Sequence, residues 1–152
     1  MKRIISFVLA VVMAFSFTAC NGELNTASFV DGTYRAEFQN FDAYGWKDYV
    51  EVTIAEGQLN EVVYDSVNED GTKLKSQDES YKAEMEAIVG TYPAKYNKDL
   101  INQFIESGKV TSVDIVAGAT ESTGNLKTLI IAAMECAVNG TAETVIVENI
   151  VK

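Results

Sequence analysis

The residues of this chain best suited to chemistry lie in one short segment. It runs Asp114-Ile115-Val116-Ala117-Gly118-Ala119-Thr120, then Glu121-Ser122-Thr123-Gly124-Asn125, and leads into a long amphipathic stretch. Gly118 and Ala119 leave the backbone bare enough for a bulky group to lie against it. The hydroxyls of Thr120, Ser122 and Thr123 fall just ahead of a helix amino terminus, where unpaired N–H groups and the positive end of the helix dipole favour an anion. Small residues, hydroxyls and a helix start in that order describe a phosphate site.

Other chemistries are poorly provided for. The chain has no histidine, so zinc, copper and His-based acid–base schemes lose their commonest ligand or proton carrier. No metal site and no acid–base carboxylate pair is marked out by spacing. The cysteines are Cys20 and Cys136, too far apart in sequence for a CxxC redox pair. Cys136 falls on or beside an apolar helix face, which reads as an inert buried thiol. Any redox function then has to be carried by an organic cofactor. A formal charge of −10 argues against nucleic-acid binding, which depends on Lys and Arg displacing counterions.

The amino terminus has the order of a secretion signal: basic Lys2 and Arg3, the apolar run 4–17, then Phe17-Thr18-Ala19-Cys20. The run is shorter than the roughly 20 residues a membrane-spanning helix needs. Phe-Thr-Ala-Cys resembles the bacterial lipobox, with Phe17 in place of the usual Leu. The resemblance implies cleavage before Cys20 and diacylation of its thiol; the alternative is ordinary cleavage near Ala19 and a free thiol. Loss of Lys2 and Arg3 with the signal makes the remaining chain two charges more negative. The expected organisation is a signal peptide at 1–19, a lipidated Cys20 and polar tether at 20–28, and one domain at 29–152. At about 3.3 Å per residue the tether reaches roughly 30 Å.

The elements that must position the site follow from periodicity. Residues 33–38 alternate as a strand. Residues 46–67 form a β-hairpin about Glu56-Gly57. Glu51, Glu56, Glu61, Asp65, Glu69 and Asp70 give it a solvated acidic face, and 68–78 are a polar loop. Helices are expected over Ser80–Val89, stopped by Gly90, from Pro93 to Gly108, and from the phosphate loop to Gly140. Val110–Val116 reads as a short extended run, and Thr144–Val151 as a last strand. The fold class is α+β, a small antiparallel sheet (the 46–67 hairpin plus flanking strands) packed against about three helices.

Asp114, Gly118, Ala119 and Thr120 resemble the signature of the FMN-binding domain family. That family comprises exported flavin lipoproteins and the covalent-FMN subunits of sodium-pumping redox complexes. Its pattern is Asp, two variable residues, Ser or Thr, then Gly-Ala-Thr. Asp31-Gly32-Thr33-Tyr34 and Tyr44-Gly45-Trp46-Lys47-Asp48-Tyr49-Val50 resemble its opening strands, so the likeness covers about residues 30–138. It implies FMN esterified through its phosphate to Thr120 by an FMN transferase. Ala117 departs from the pattern and removes one hydroxyl near the phosphate, a hydrogen bond worth about 0.5–1.5 kcal/mol. Asp114 then either positions the loop, binds the transferase's metal or caps a turn. Trp46, Tyr44 and Tyr49 either face the flavin ring or pack in the sheet, and Trp46 is the choice for the ring.

The expected function is a lipid-anchored electron carrier facing outside the cytoplasm, with no substrate of its own. It would pass electrons from a membrane redox donor to an extracytoplasmic acceptor. The alternatives are a lipoprotein that binds FMN reversibly or has lost it and serves as a ligand-binding or surface module, and a reductase acting on a small acceptor.

Overall fold

The computed structural model describes residues 29–150. The expected signal peptide (1–19), lipidation site (Cys20) and tether (21–28) lie outside the described residues.

Strands β1 (Gly32–Phe38), β2 (Trp46–Ala55) and β3 (Gln58–Asn68) form an antiparallel meander. Glu56 and Gly57 make the β2–β3 turn with φ of 54° and 70°, the doubly left-handed turn whose twist matches a hairpin. Asn60 is an extra residue on β3, where the pairing shifts between Thr53↔Glu61 and Ile54↔Leu59. Along β2 the even positions Trp46, Asp48, Val50, Val52 and Ile54 are all buried, so one face of the strand turns inward as a period of two requires.

Helices α1 (Glu79–Val89), α2 (Pro93–Ser107) and α3 (Thr120–Asn139) have punctuation legible in the sequence. Pro93 opens α2, and Gly90, Gly108 and Gly140 close the three helices in left-handed conformations. The α1 cap is Asp78, whose Oδ1 accepts the N–H groups of Ser80 and Tyr81, both at 3.0 Å. A hydrogen bond from Lys73, joined by those from Ser80 and Tyr81, holds the Asp78 carboxyl well below the usual carboxylate range. The core is one cluster: Leu126, Leu129, Ile130 and Ala133 of α3 and Leu100 and Phe104 of α2, packed on Tyr34, Ala36, Val50, Val52 and Tyr64 of the sheet. None of these core residues is more than 4% exposed, and helix α1 by contrast buries no residue.

The fold is α+β, with differences in detail. The last strand is β4 (Val145–Val147), much shorter than the expected 144–151, and it pairs parallel with β1, so the sheet is mixed, in the order β3-β2-β1-β4. β4 follows α3 and lies along the outer edge of β1, running in β1's own direction. Residues 110–112 are a 3₁₀ turn instead of part of an extended run, with Val110 and Val113 turned into the core. The acidic face is only partly solvated: Asp65 is 7% exposed and accepts the N–H groups of Ser66 and Ser76 and the Ser76 hydroxyl. The far sheet face carries an ion-pair lattice in which Glu37 bonds Lys47 at 2.7 Å and Arg35 at 2.9 Å. Burial raises the Glu37 pKa, but the bonds from Lys47 and Arg35 outweigh it and leave the carboxyl below its ordinary value.

Candidate functional site

The inward face of β2 begins where α1 and the amino terminus of α3 stand apart from each other. Past the amino terminus of α3, Trp46 and Asp48 open into a cleft of about 890 Å³, within the range of small-molecule and cofactor sites. Its walls include the start of β2 with the preceding loop (Asp42, Tyr44), the 3₁₀ turn at Lys75–Gln77, the inner side of α1 (Tyr81, Met85), and residues of the Gly118–Asn125 segment. Asn149 closes one side. It is clipped to Asn40, whose N–H donates to Asn149 Oδ1 at 2.9 Å while Asn149 Nδ2 donates to the Asn40 carbonyl at 3.1 Å.

Gly118, Ala119, Thr120, Ser122 and Trp46, chosen from sequence, all line this one cleft. Thr120 is the first residue of α3 and not a residue ahead of it, and its side chain is exposed. The preceding Ala119 supplies no side-chain cap, so no protein side chain satisfies the first-turn N–H groups through that position. Gly118 has φ of +80°, and a Cβ there would lie 3.0 Å from Val89 Cβ and Cγ2 and 3.1 Å from Thr91 Cγ2. The glycine is therefore required by its own backbone and by the close approach of the α1 end, as well as leaving the cleft wall bare.

Two of the chosen residues fall elsewhere. Thr123 is 1% exposed, and its hydroxyl donates to the Ala119 carbonyl at 2.8 Å, so it pins the first turn from inside and does not line the cleft. Its spacing to Leu126 and Ile130 put it on the buried stripe of α3, a signal present in the sequence. Asp114 is exposed and outside the cleft, and its backbone N–H donates to Gln103 Oε1 at 2.6 Å. Of the other aromatics, Tyr44 stands 79% exposed at the cleft rim. Tyr49 points to the far sheet face, its ring 3.8 Å from the Arg35 guanidinium carbon. Cys136 is buried, and burial with the nearby Glu135 charge pushes its thiol pKa up.

The structure adds residues that sequence reasoning passed over. Asp48 forms the cleft floor and is 7% exposed. Its Oδ2 accepts Tyr64 Oη at 2.7 Å and Asn125 Nδ2 at 2.8 Å, and its Oδ1 accepts Ser66 Oγ at 2.5 Å. These bonds tie β2, β3 and the second turn of α3 together, and Tyr64 Oη also lies 3.0 Å from the Ser122 carbonyl in the first turn. Full burial, reinforced by the Asp48 charge, drives the Tyr64 phenol well above its ordinary pKa, so it stays a donor at neutral pH. Tyr96, also lining the cleft, is raised chiefly by burial. An acid in phase with Val50, Val52 and Ile54 was the available clue to Asp48.

Lys75 had no such clue, because it sits in the segment that reads as a polar loop. It is 8% exposed, with its ammonium 4.9 Å from the Tyr81 ring centroid and 5.9 Å from that of Trp46. The two rings meet edge to face at 6.4 Å. The cleft thus joins an exposed hydroxyl at an uncapped helix start to an aromatic end that carries a cation. Such a surface suits a ligand with an anionic group and a flat ring.

No family profile matches the chain. The domain is similar in structure to the CPE2226 protein from Clostridium perfringens, with a TM-score of 0.74 and 27% identity over 80% of this chain and 99% of that one. In sequence it is 39% identical over 125 residues to the 15 kDa lipoprotein of Treponema pallidum, a match covering 82% of this chain and 88% of that protein. An identity of that size, over 82% of the chain, makes this chain a member of the family of the Treponema 15 kDa lipoprotein.

Proposed function

We propose that this protein is a membrane-tethered flavin carrier. Lipid on Cys20 would hold it outside the cytoplasm, and FMN, esterified through its phosphate to Thr120, would occupy the cleft. The observation that carries the reading is the convergence of Gly118, Ala119, Thr120 and Ser122 with Trp46 in one cavity. Membership in a lipoprotein family supports the anchor.

The residues present suit the cofactor. A transferase would join Thr120 Oγ1 to the FMN phosphorus of a flavin dinucleotide donor, the hydroxyl losing its proton as the bond to the departing AMP breaks, and the phosphodiester would keep one negative charge. The N–H groups of the first α3 turn, which Ala119 leaves without a side-chain cap, would favour that charge, a contribution of about 0.3–1 kcal/mol near the surface and up to ~2 kcal/mol when partly buried. Trp46 and Tyr81 offer aromatic surface to a ring. Asp48, satisfied by three donors, keeps the floor rigid without turning a bare charge on the ligand. FMN, when bound, supplies the reversible uptake of electrons that the side chains of this chain lack. A covalent bond prevents its loss where no cytoplasmic pool can replace it, and a lipid anchor with a tether of roughly 30 Å keeps it near a membrane donor.

The test is the intact mass of the mature protein co-expressed with an FMN transferase. An FMN-sized adduct that disappears in Thr120→Ala is the expected result. Absence of an adduct, or one that survives Thr120→Ala, would refute covalent attachment at this residue. Flavin that co-purifies without an adduct would instead identify the reversible binding that Ala117 favours.

A further inference from the structure

Lys75 is the one positively charged residue among the described residues lining the cleft, which also presents Asp42, Asp48 and Glu121. Its position is built. Asp65 is buried in order to hold the 3₁₀ turn, accepting the Ser76 hydroxyl at 2.5 Å and the Ser76 N–H at 3.1 Å, while Leu74 bridges to Val67 of β3. The side chain is nine-tenths buried, yet the nearest acidic oxygen, Asp42 Oδ2, is 3.6 Å away, beyond hydrogen-bond distance. Asp42 uses its other oxygen on the N–H groups of Tyr44 and Trp46, at 2.8 and 2.9 Å. The cation is therefore desolvated, flanked by two aromatic rings and only loosely paired, beside the surface available to a flat ligand.

We propose that Lys75 sets the reduction potential of the bound flavin by favouring the ring once reduction has made it an anion. The inference rests on the FMN reading of the cleft. Two electrons and one proton convert the neutral ring to a form with one negative charge, which a nearby ammonium stabilises more than it does the neutral form. A desolvated site strengthens that difference relative to water. Asp42 tempers it, because its charge opposes that of Lys75 at 3.6 Å.

The experiment compares midpoint potentials of the flavin-loaded full chain, titrated with dithionite as the two-electron donor, in wild type, Lys75→Met, Lys75→Arg and Asp42→Asn. Loading is checked by mass and absorbance before each titration. Lys75→Met is expected to lose about tenfold in preference for the reduced ring, a fall of about 30 mV for a two-electron couple. Lys75→Arg should remain close to wild type. Asp42→Asn, which keeps an Oδ1 acceptor for the Tyr44 and Trp46 N–H groups, should shift the potential upward. A loaded Lys75→Met protein with the wild-type potential would overturn the role of Lys75 and leave FMN binding standing. Wild type that retains no flavin would overturn both. If Lys75→Met fails to fold or load, an unchanged potential in Asp42→Asn is the result that refutes the proposal.

Discussion

Replacing Gly118 with Ala tests whether the loop ahead of α3 has the strained, close-packed geometry on which the cleft depends. The residue has φ of +80°, a region that costs an L-residue about 1–2 kcal/mol. The new methyl would also lie 3.0 Å from Val89 Cβ and Cγ2 and 3.1 Å from Thr91 Cγ2. Contacts that short force neighbours to move, typically at about 1–3 kcal/mol. Lower entropy of the unfolded chain returns about 0.4–1 kcal/mol. The net expectation is a loss of about 1–4.6 kcal/mol. With a urea slope near 2 kcal/mol/M this moves the unfolding midpoint down by about 0.5–2.3 M. Because Val89 Cγ2 is one of the atoms struck, Val89→Ala should relieve part of the strain. A double-mutant cycle should then show coupling of about 1 kcal/mol between the two sites. A Gly118→Ala protein with its midpoint within about 0.2 M of wild type would refute both the backbone and the packing arguments. Destabilisation without coupling to Val89 would leave the backbone argument alone.

Two further outcomes follow from the same geometry. Asp48→Ala strands Ser66 Oγ and Asn125 Nδ2, while Tyr64 retains the Ser122 carbonyl, and should cost about 2–4 kcal/mol in urea unfolding; a cost below about 0.5 kcal/mol would mean the carboxylate is not the tie between sheet and α3. Asp78→Ala removes the α1 cap and should cost about 1 kcal/mol at pH 7. Since the folded Asp78 pKa is depressed, its contribution is complete above the unfolded value near 4 and fades as pH falls below it. The gap between wild type and variant should therefore close in acid, and a gap that is constant from pH 7 to pH 3 would contradict the assignment.

Much of the architecture was legible in the sequence because it is determined locally. The hairpin, the three helices and their glycine stops depend on alternation, 3.6-residue periodicity and backbone preferences that act within a few residues. The placing of Gly118, Ala119 and Thr120 at a helix start was legible for the same reason, because bare residues and hydroxyls ahead of an apolar helical period are a local signal. Contacts set by distant segments were not legible. The alternation that marks β2 cannot say that its first two inward positions line a cleft shared with α1 and the start of α3. Nor does a polar stretch reveal that Ser76 will anchor to Asp65 and carry Lys75 to the rings of Trp46 and Tyr81. The parallel pairing of β4, the inward turn of Thr123 and the removal of Asp114 from the cleft are likewise outcomes of packing. The sequence by itself determined the elements and the bare, hydroxyl-bearing start of α3, through short-range forces. Only the tertiary structure decided which aromatic, which acid and which cation share its cleft, since long-range burial chooses partners that lie tens of residues apart.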